Sequence, residues 1–450
     1  MKRVLCCAAA LVALPVTLVA QTQPAAAAAA ATAAASPPDT SRPISLAEAI
    51  RLAQRVSPTE VIARNAIRSA DASVKSAYAA FIPSVSISVG AGYTPTLSSR
   101  VDQATGKLIQ PAKWTGSDGL NLNVNLFDGG RRYFGIGTAR ANVAAAQASE
   151  VSARFNVGLS VQQAFFNALA ARESESAAKA QLEQAQQQMA ASISRVSAGV
   201  ATRSDSLRSL IQLQNAQLAL LQAANNLETA NAQLTRLTAA PYSVTASPTD
   251  TLDSGPALPD SAELSRLSAV GPAVLQARAS EVAARTAAKA ARTPYLPTLD
   301  ASFGRTGTGS DIAYGYQKDF TYQSALRFSL SYPLFNQLQR EQQRVQADVA
   351  AANADATLRD TRLGAQQLLV QNLSALRTAD VQVKVQTATV AAAEEDLRVQ
   401  QQRYNLGAST LLDVLTSQTQ LNQGRAALIQ ARYNLRVAKA QIAALIGREF

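Results

Sequence analysis

The sequence predicts a mainly α-helical protein with a membrane β-barrel part, built from one structural module that occurs twice. Long segments with helical periodicity alternate with pairs of segments in which every second residue is apolar. The duplication is marked by an arginine, a glycine and an aspartate that recur in register 208 residues further on: Arg195, Gly199 and Asp205, then Arg403, Gly407 and Asp413. Because the register continues through the following leucines, the repeat indicates a whole module and not a loop motif.

The N-terminus carries the pattern of a secretory signal. Lys2 and Arg3 precede an apolar run from Val4 to Ala20, so we expect a signal peptide at 1–20. Residues 21–43 are rich in alanine and proline without periodicity, which indicates a flexible leader. No later segment has the roughly 20 uninterrupted apolar residues that a spanning helix needs, so we expect no inner-membrane anchor.

Composition excludes several function classes. The chain has no histidine, and its two cysteines, Cys6 and Cys7, both lie in the predicted signal peptide. Thiolate or imidazole metal sites and histidine-dependent nucleophiles are therefore excluded, and we expect no metal, no cofactor and no catalytic residue. The formal net charge of +11 is spread over scattered single residues. With export, this distribution predicts no nucleic-acid partner.

Each copy opens with a short helix. The first repeat, 44–240, begins at a capping box in which Ser45 and Glu48 satisfy free amides, and its helix continues to about Ala80. The second repeat, 260–447, has the corresponding helix at about 260–292. Both helices end at an aromatic–aliphatic–proline corner, because proline cannot continue a helix but is tolerated at the start of a strand: Phe81-Ile82-Pro83 and Tyr295-Leu296-Pro297.

A β-hairpin follows each corner, at about 84–127 and 298–335. In 120–126, aliphatic residues alternate with asparagines, which predicts strands with one apolar and one polar face. Strands of about ten residues flanked by aromatic residues fit a membrane barrel, and an antiparallel sheet in a soluble domain is the alternative. We expect these aromatic residues at the membrane interface: Phe81, Tyr93, Trp114, Phe127, Tyr295, Phe303, Tyr322 and Phe335.

Long helices follow the hairpins, at about 131–197 and 339–405, each a rod of about 100 Å. Gly199 and Gly407 then allow a turn, and returning helices are predicted at about 204–240 and 411–447. Leucines every seven residues, with small residues between them, predict close coiled-coil packing. Residues 241–259 form a connector between the copies, and 448–450 are a tail.

The number of strands predicts the oligomeric state. Four strands cannot close a barrel, and an open sheet edge in lipid would leave backbone groups without hydrogen bonds. Chains must therefore associate. Three copies would supply twelve strands, with a tube of helices on the same axis.

The chain resembles the TolC-like outer-membrane efflux proteins from 44 to 447. The resemblance rests on the duplicated order of these motifs: Ser45-Leu-Ala-Glu-Ala49, Phe81-Ile-Pro83, Leu126-Phe-Asp-Gly-Gly130 and the two Arg-x-x-x-Gly-x-x-x-x-x-Asp turns. It implies a homotrimer in outer-membrane lipid, whose 12-stranded β-barrel continues into a long α-helical periplasmic barrel. It further implies a passive exit duct of a tripartite efflux system, working with a periplasmic adaptor and an inner-membrane transporter.

The resemblance also implies roles for residues at the turns. Those expected to dock the adaptor are Arg195, Val196, Gly199, Val200, Arg403, Leu406, Gly407 and Ala408. Those expected to form a periplasmic gate are Asp413, Tyr404, Asp205, Ser204, Ser409 and Thr416. Ser409 and Thr416 stand where the best-known member has an arginine and a second aspartate. The resemblance therefore implies one acidic ring instead of two, and fewer locking bonds.

Simpler roles remain open for the same residues. The two aspartates can cap the returning helices, and the two glycines can supply positive φ. The arginines can satisfy terminal carbonyls, and Tyr404 can simply pack. Two alternative functions also remain: the exit duct of a type I protein-secretion system, and a secreted coiled-coil scaffold or adhesin.

Overall fold

The computed structural model describes residues 41–93, 95, 100–101, 106, 108–109, 114–247, 250, 260–310 and 320–448. The chain divides into two compact units, Met1–Thr40 and Ser41–Phe450, and only the second contains described residues. The predicted signal peptide, almost all of the leader, part of the connector and the last two residues of the tail lie outside the described residues.

The first repeat contains four helices and the first part of the sheet. Its elements are β1 (Arg42–Ile44), α1 (Leu46–Val56), α2 (Pro58–Ala79), β2 (Ser84–Tyr93), β3 (Arg100–Val101), β4 (Leu108–Ile109), β5 (Trp114–Phe127), α3 (Arg131–Ser197) and α4 (Arg203–Thr238). The later elements are β6 (Val244–Ala246), α5 (Ser261–Ser268), α6 (Pro272–Ala290), β7 (Thr298–Ser310), β8 (Thr321–Ser331), α7 (Gln339–Asn405) and α8 (Leu411–Ile446). The mainly helical fold class with a β part is thus confirmed.

The short opening helix of each copy is two helices, where the sequence predicts one. The breaks fall before Pro58 and Pro272, and each proline is the first residue of the second helix. Proline has no amide hydrogen and disfavours helical φ and ψ in the residue before it, so a helix ends there and a new one begins. In the first break the Ser57 amide still donates to the Ala53 carbonyl at 2.8 Å, which completes the end of α1.

The long helix of the first copy is anchored by a buried aspartate. Asp128 Oδ1 accepts from the Gly130 amide at 3.1 Å, and its Oδ2 accepts from the Arg132 amide at 3.0 Å and from Arg132 Nε at 2.9 Å. Gly129, with φ 66°, lies so close to Leu296 that a β-carbon would be 2.8 Å from the leucine Cβ. The motif Leu126–Gly130 therefore joins the end of β5 to the start of α3 and to the corner of the second copy.

The shorter helices lie against the long ones. In the first copy α1, α2 and α4 all contact α3, and in the second α5, α6 and α8 contact α7. Contacts of α3 with α6 and α8 join the copies. The largest apolar cluster lies where α1, α3 and α4 meet the parallel pair β1–β6, and it includes Phe165, Leu234 and Val244. Small residues on the returning helices are buried, such as Ala216 and Gly424, as close helix packing requires.

The two hairpins form one antiparallel sheet in the order β2–β5–β7–β8. The register brings apolar residues of all four strands to one face; a representative row is Val85, Leu122, Phe303 and Leu326. Serine, asparagine and glycine dominate the other face. The apolar face is open in the single chain, where Val89 is 83% exposed. Within the described residues, β2 and β8 each pair along one side only.

Among the described helices, none combines the length and the hydrophobicity that crossing a membrane requires.

Candidate functional surfaces at the helix turns and on the sheet

The turn between α3 and α4, which we call the first tip (195–205), is a Schellman motif. The Val200 amide donates to the Arg195 carbonyl at 3.0 Å, and the Gly199 amide donates to the Val196 carbonyl at 3.0 Å. Gly199 has φ 75°. This left-handed conformation is open to glycine at no steric cost, and the two bonds satisfy carbonyls that the helix end leaves free. Gly199 is therefore a turn glycine.

The turn between α7 and α8, the second tip (403–413), has the same geometry. The Ala408 amide donates to the Arg403 carbonyl at 2.7 Å, and the Gly407 amide donates to the Tyr404 carbonyl at 3.1 Å. Gly407 has φ 74°. The duplication of sequence is thus a duplication of backbone hydrogen bonds.

Both aspartates at the tips belong to capping boxes. Thr202 and Thr410 are the N-caps, and each hydroxyl accepts from the amide of the aspartate three residues on, at 3.3 Å. In return Oδ2 of Asp205 accepts from the Thr202 amide at 3.0 Å, and Oδ2 of Asp413 from the Thr410 amide at 2.8 Å. Sequence reasoning named the aspartates and missed the threonines, although the Thr-x-x-Asp spacing is the signal of such a box.

The threonines also fix the charge of the aspartates. Hydrogen bonds from the Thr410 amide and hydroxyl lower the pKa of Asp413 below its usual range. Those from the Thr202 hydroxyl and amide lower the pKa of Asp205 in the same way. Both carboxylates are therefore charged at neutral pH. Asp413 is exposed and Asp205 is half-buried.

One side-chain contact joins the two tips within a chain. The guanidinium carbon of Arg195 lies 4.3 Å from the centroid of the Tyr404 ring, a cation–π contact. The ring also packs against the apolar cluster of Leu397, Val414 and Leu421. Tyr404 is therefore held by packing and by a cation. We call the contact between Arg195 and Tyr404 the tip latch.

The remaining predicted tip residues lie around this latch. Leu406 is 84% exposed and Val200 is 66% exposed, while Ala408 is also exposed and Val196 is half-buried. The Ser409 hydroxyl donates to the Gln400 carbonyl at 3.3 Å. Exposed Thr416 donates to the Leu412 carbonyl at 2.8 Å, and Ser204 is exposed.

Most of the predicted interface aromatics lie at the two ends of the sheet. Tyr93 and Trp114 stack with centroids 4.8 Å apart at the end far from the helices, and Tyr322 lies at the same end. Phe81, Phe127 and Phe335 lie at the helix end, although Phe335 follows the end of β8 at Ser331, where the sequence predicts strand.

Two of the predicted interface aromatics are placed differently. Phe303 lies in the middle of the apolar face, opposite Leu326. The Tyr295 hydroxyl donates to Glu341 Oε1 at 3.3 Å, so this ring is engaged by α7. The sequence pattern groups Phe303 with the end residues because it counts aromatic residues and not their height along a strand, while Tyr295 lies in the corner before β7 begins.

An amphipathic antiparallel sheet that continues into helical hairpins of about 100 Å is the architecture of outer-membrane channels with a helical extension. The comparisons with known proteins agree with this class. The model of the outer membrane efflux protein family matches residues 50–240 and 264–448. The chain therefore belongs to the outer membrane efflux protein family, which assigns it to the outer membrane, and the predicted family is confirmed.

Individual relatives are distant. The chain is 28% identical over 304 residues to the outer membrane protein TolC of Escherichia coli (strain K12), which covers 64% of this chain and 61% of that protein. It is 26% identical over 401 residues to the outer membrane efflux protein BepC of Brucella suis biovar 1 (strain 1330), covering 86% of this chain and 81% of BepC.

Solved structures show the same fold. CusC superposes with a TM-score of 0.77 at 18% identity, covering 91% of this chain and 94% of CusC. VceC of Vibrio cholerae superposes with a TM-score of 0.72 at 18% identity, covering 90% of this chain and 96% of VceC. The likeness in fold thus extends over nearly the whole length of this chain, of CusC and of VceC.

Proposed function

We propose that the chain forms a homotrimeric outer-membrane channel and serves as the passive exit duct of a tripartite efflux system. The open edges of the sheet carry the proposal. An unpaired strand edge inside lipid leaves each backbone group without a partner, at several kcal/mol each, so β2 of one chain must pair with β8 of another. Three chains would give twelve strands, enough to enclose a water-filled pore.

Exposed apolar residues on the helices support association along the rods as well. They lie on α4 and α7, which flank the α3–α8 contact that joins the copies. Those on α4 are Ile211, Leu218 and Leu221, and those on α7 are Val370, Val381 and Val385. Contact between α4 of one chain and α7 of the next would bury these side chains and close the helices into a tube.

The polar face of the sheet is suited to line the pore. Asn121, Asn123 and Asn125 of β5 lie on this face, and Asn125 Nδ2 donates to Asp300 Oδ1. A channel needs no catalysis, so the proposed role is not enzymatic. The energy for transport would come from an inner-membrane transporter, which a periplasmic adaptor would connect to the channel.

The tips are proposed to dock that adaptor and to form the gate. Leu406 and Val200 present exposed apolar side chains at the end of the helical part farthest from the sheet, as a protein contact requires. The tip latch would hold the two hairpins of a chain together in the closed state. Three Asp413 carboxylates would form one acidic ring.

Family membership argues against the alternative of a secreted scaffold or adhesin, which would have no use for an amphipathic sheet. Light scattering of the detergent-purified protein tests the proposal. We expect a mass of three chains. A stable, folded single chain would contradict it, because the sheet edges would then be satisfied in some other way.

A further inference from the structure

A basic residue lies on the apolar face of the sheet. Arg305 of β7 is in the row that also contains Ile87 and Leu120. A charge on a lipid-facing position is costly unless the side chain carries it out of the hydrocarbon. The Arg305 guanidinium carbon lies 4.7 Å from the centroid of the Tyr322 ring. Tyr322 is opposite Gly307, one row further from the helices, so Arg305 extends towards the outer end of the sheet.

Aromatic residues near this guanidinium indicate its depth in the membrane. Tyr322 lies in the row of Val89, Asp118 and Gly307, and the stacked pair of Tyr93 and Trp114 lies four residues further out along the strands. Tyrosine and tryptophan concentrate where the hydrocarbon meets the headgroups. The Arg305 guanidinium is therefore at headgroup level, on the side of the membrane away from the helical tube.

We propose that Arg305, held over the ring of Tyr322, binds the phosphate of an anionic lipid headgroup in the outer leaflet. Arginine stacks readily on aromatic faces, an arrangement that leaves its in-plane N–H donors free, and this fork matches the oxygens of a phosphate. The inference rests on the proposed membrane position of the sheet.

Asp118 engages the hydroxyl of Tyr322, so the ring contributes to the site through its face alone. The Tyr322 hydroxyl donates to Asp118 Oδ2 at 3.5 Å. Asp118 is opposite Gly307, and its Oδ1 occupies space that a β-carbon at Gly307 would need. The carboxylate thus lies along the strand surface, next to the hydroxyl of Tyr322, and the guanidinium lies over the ring itself.

Native mass spectrometry of the purified protein tests the site, with phosphatidylglycerol and phosphatidylcholine as probes. The wild type should retain phosphatidylglycerol in preference to phosphatidylcholine. Arg305→Gln should reduce that preference about tenfold, the ratio expected for one charge-assisted hydrogen bond. Tyr322→Phe keeps the aromatic ring and should therefore show the same lipid preference as the wild type. Arg327→Gln is the matched control, because Arg327 lies opposite Ser302 on the polar face of the same sheet.

Three results would overturn the inference. If Arg305→Gln retains phosphatidylglycerol as well as the wild type does, Arg305 does not bind the headgroup. If Arg327→Gln loses as much phosphatidylglycerol as Arg305→Gln, the effect is one of general charge. Displacement of the lipid by millimolar inorganic phosphate would show a free-anion site instead.

Trp114 separates a failure of this site from a failure of the proposed function. It is the chain's single tryptophan. Nitroxide on lipid headgroups should quench its fluorescence in vesicles. If no lipid label quenches it, the membrane position of the sheet is wrong and the proposed function falls too. If quenching occurs while Arg305→Gln changes nothing, only the headgroup site is wrong.

Discussion

At the residue scale, two equivalent arginines have different partners. Nη2 of Arg403 donates to the Ala408 carbonyl of its own turn at 3.4 Å. Arg195, at the matching position of the first copy, extends instead to the ring of Tyr404. The residue that matches Tyr404 in the first copy is Val196, which offers no ring to a cation. Each chain therefore has one latch between two otherwise similar turns.

The latch predicts that the ring of Tyr404 matters and its hydroxyl does not. Tyr404→Leu removes the cation–π contact and should raise the open probability of single channels several-fold, since such a contact contributes about 1 kcal/mol. Tyr404→Phe is the control and should behave as the wild type. Similar gating in the leucine and phenylalanine variants would show that the latch does not hold the closed state.

The proposed acidic ring predicts block by multivalent cations from the periplasmic side. Asp413→Asn should weaken that block, because it removes three charges from the trimer. Asp205→Asn measures separately the contribution of the matching gate candidate, since Asp205 occupies the same capping box in the first copy. Equal block in wild type and Asp413→Asn would exclude the ring.

The lowered pKa of Asp413 extends this prediction to acid. Thr410 stabilises the ionised form and lowers the pKa of Asp413, so at about pH 4 a larger fraction of this carboxylate is charged than of an ordinary aspartate. Its contribution to the cap is likewise present above the unfolded-state pKa and lost only as pH falls through the folded-state pKa. As pH falls from about 7, half of the cation block should therefore be lost only below about pH 4, where an ordinary aspartate is half protonated; half-loss above that pH would contradict this.

At the element scale, the capping threonines should govern the start of each returning helix. Thr202→Ala or Thr410→Ala removes the hydroxyl that accepts from the aspartate amide, so the first turn of α4 or α8 should open more often. Hydrogen exchange of these amides should accelerate roughly fivefold, as the loss of one N-cap implies. Thr419→Ala is the control, because its hydroxyl donates within α8 to the Leu415 carbonyl. Unchanged exchange in the cap variants would show that the aspartates suffice.

The sequence predicts local structure well where the signal is local. The turn glycines, the proline corners and the alternation of 120–126 each define an element within a few residues. The breaks before Pro58 and Pro272 have an equally local signal in the two prolines, although the amphipathic pattern on both sides predicts one continuous helix in each copy. The contact between Arg195 and Tyr404 has no local signal, because it depends on how two hairpins pack.

At the scale of the whole molecule, the sheet is the reason for proposing that the chain acts as an oligomer in lipid. Its apolar face is open, and its two outer strands have unpaired edges among the described residues. The strand count and the face pattern could be taken from sequence, since both follow from periodicity. The height of Phe303 could not, because strand register is set by pairing across the sheet.

The most direct test of the account is single-channel recording after reconstitution of the purified protein in planar bilayers. We predict discrete conductance steps from a protein that light scattering shows to be a trimer. Tyr404→Leu should increase the time spent in the conducting state. A folded preparation that inserts into the bilayer and gives no conductance, in the wild type and in Tyr404→Leu alike, would contradict the proposed channel.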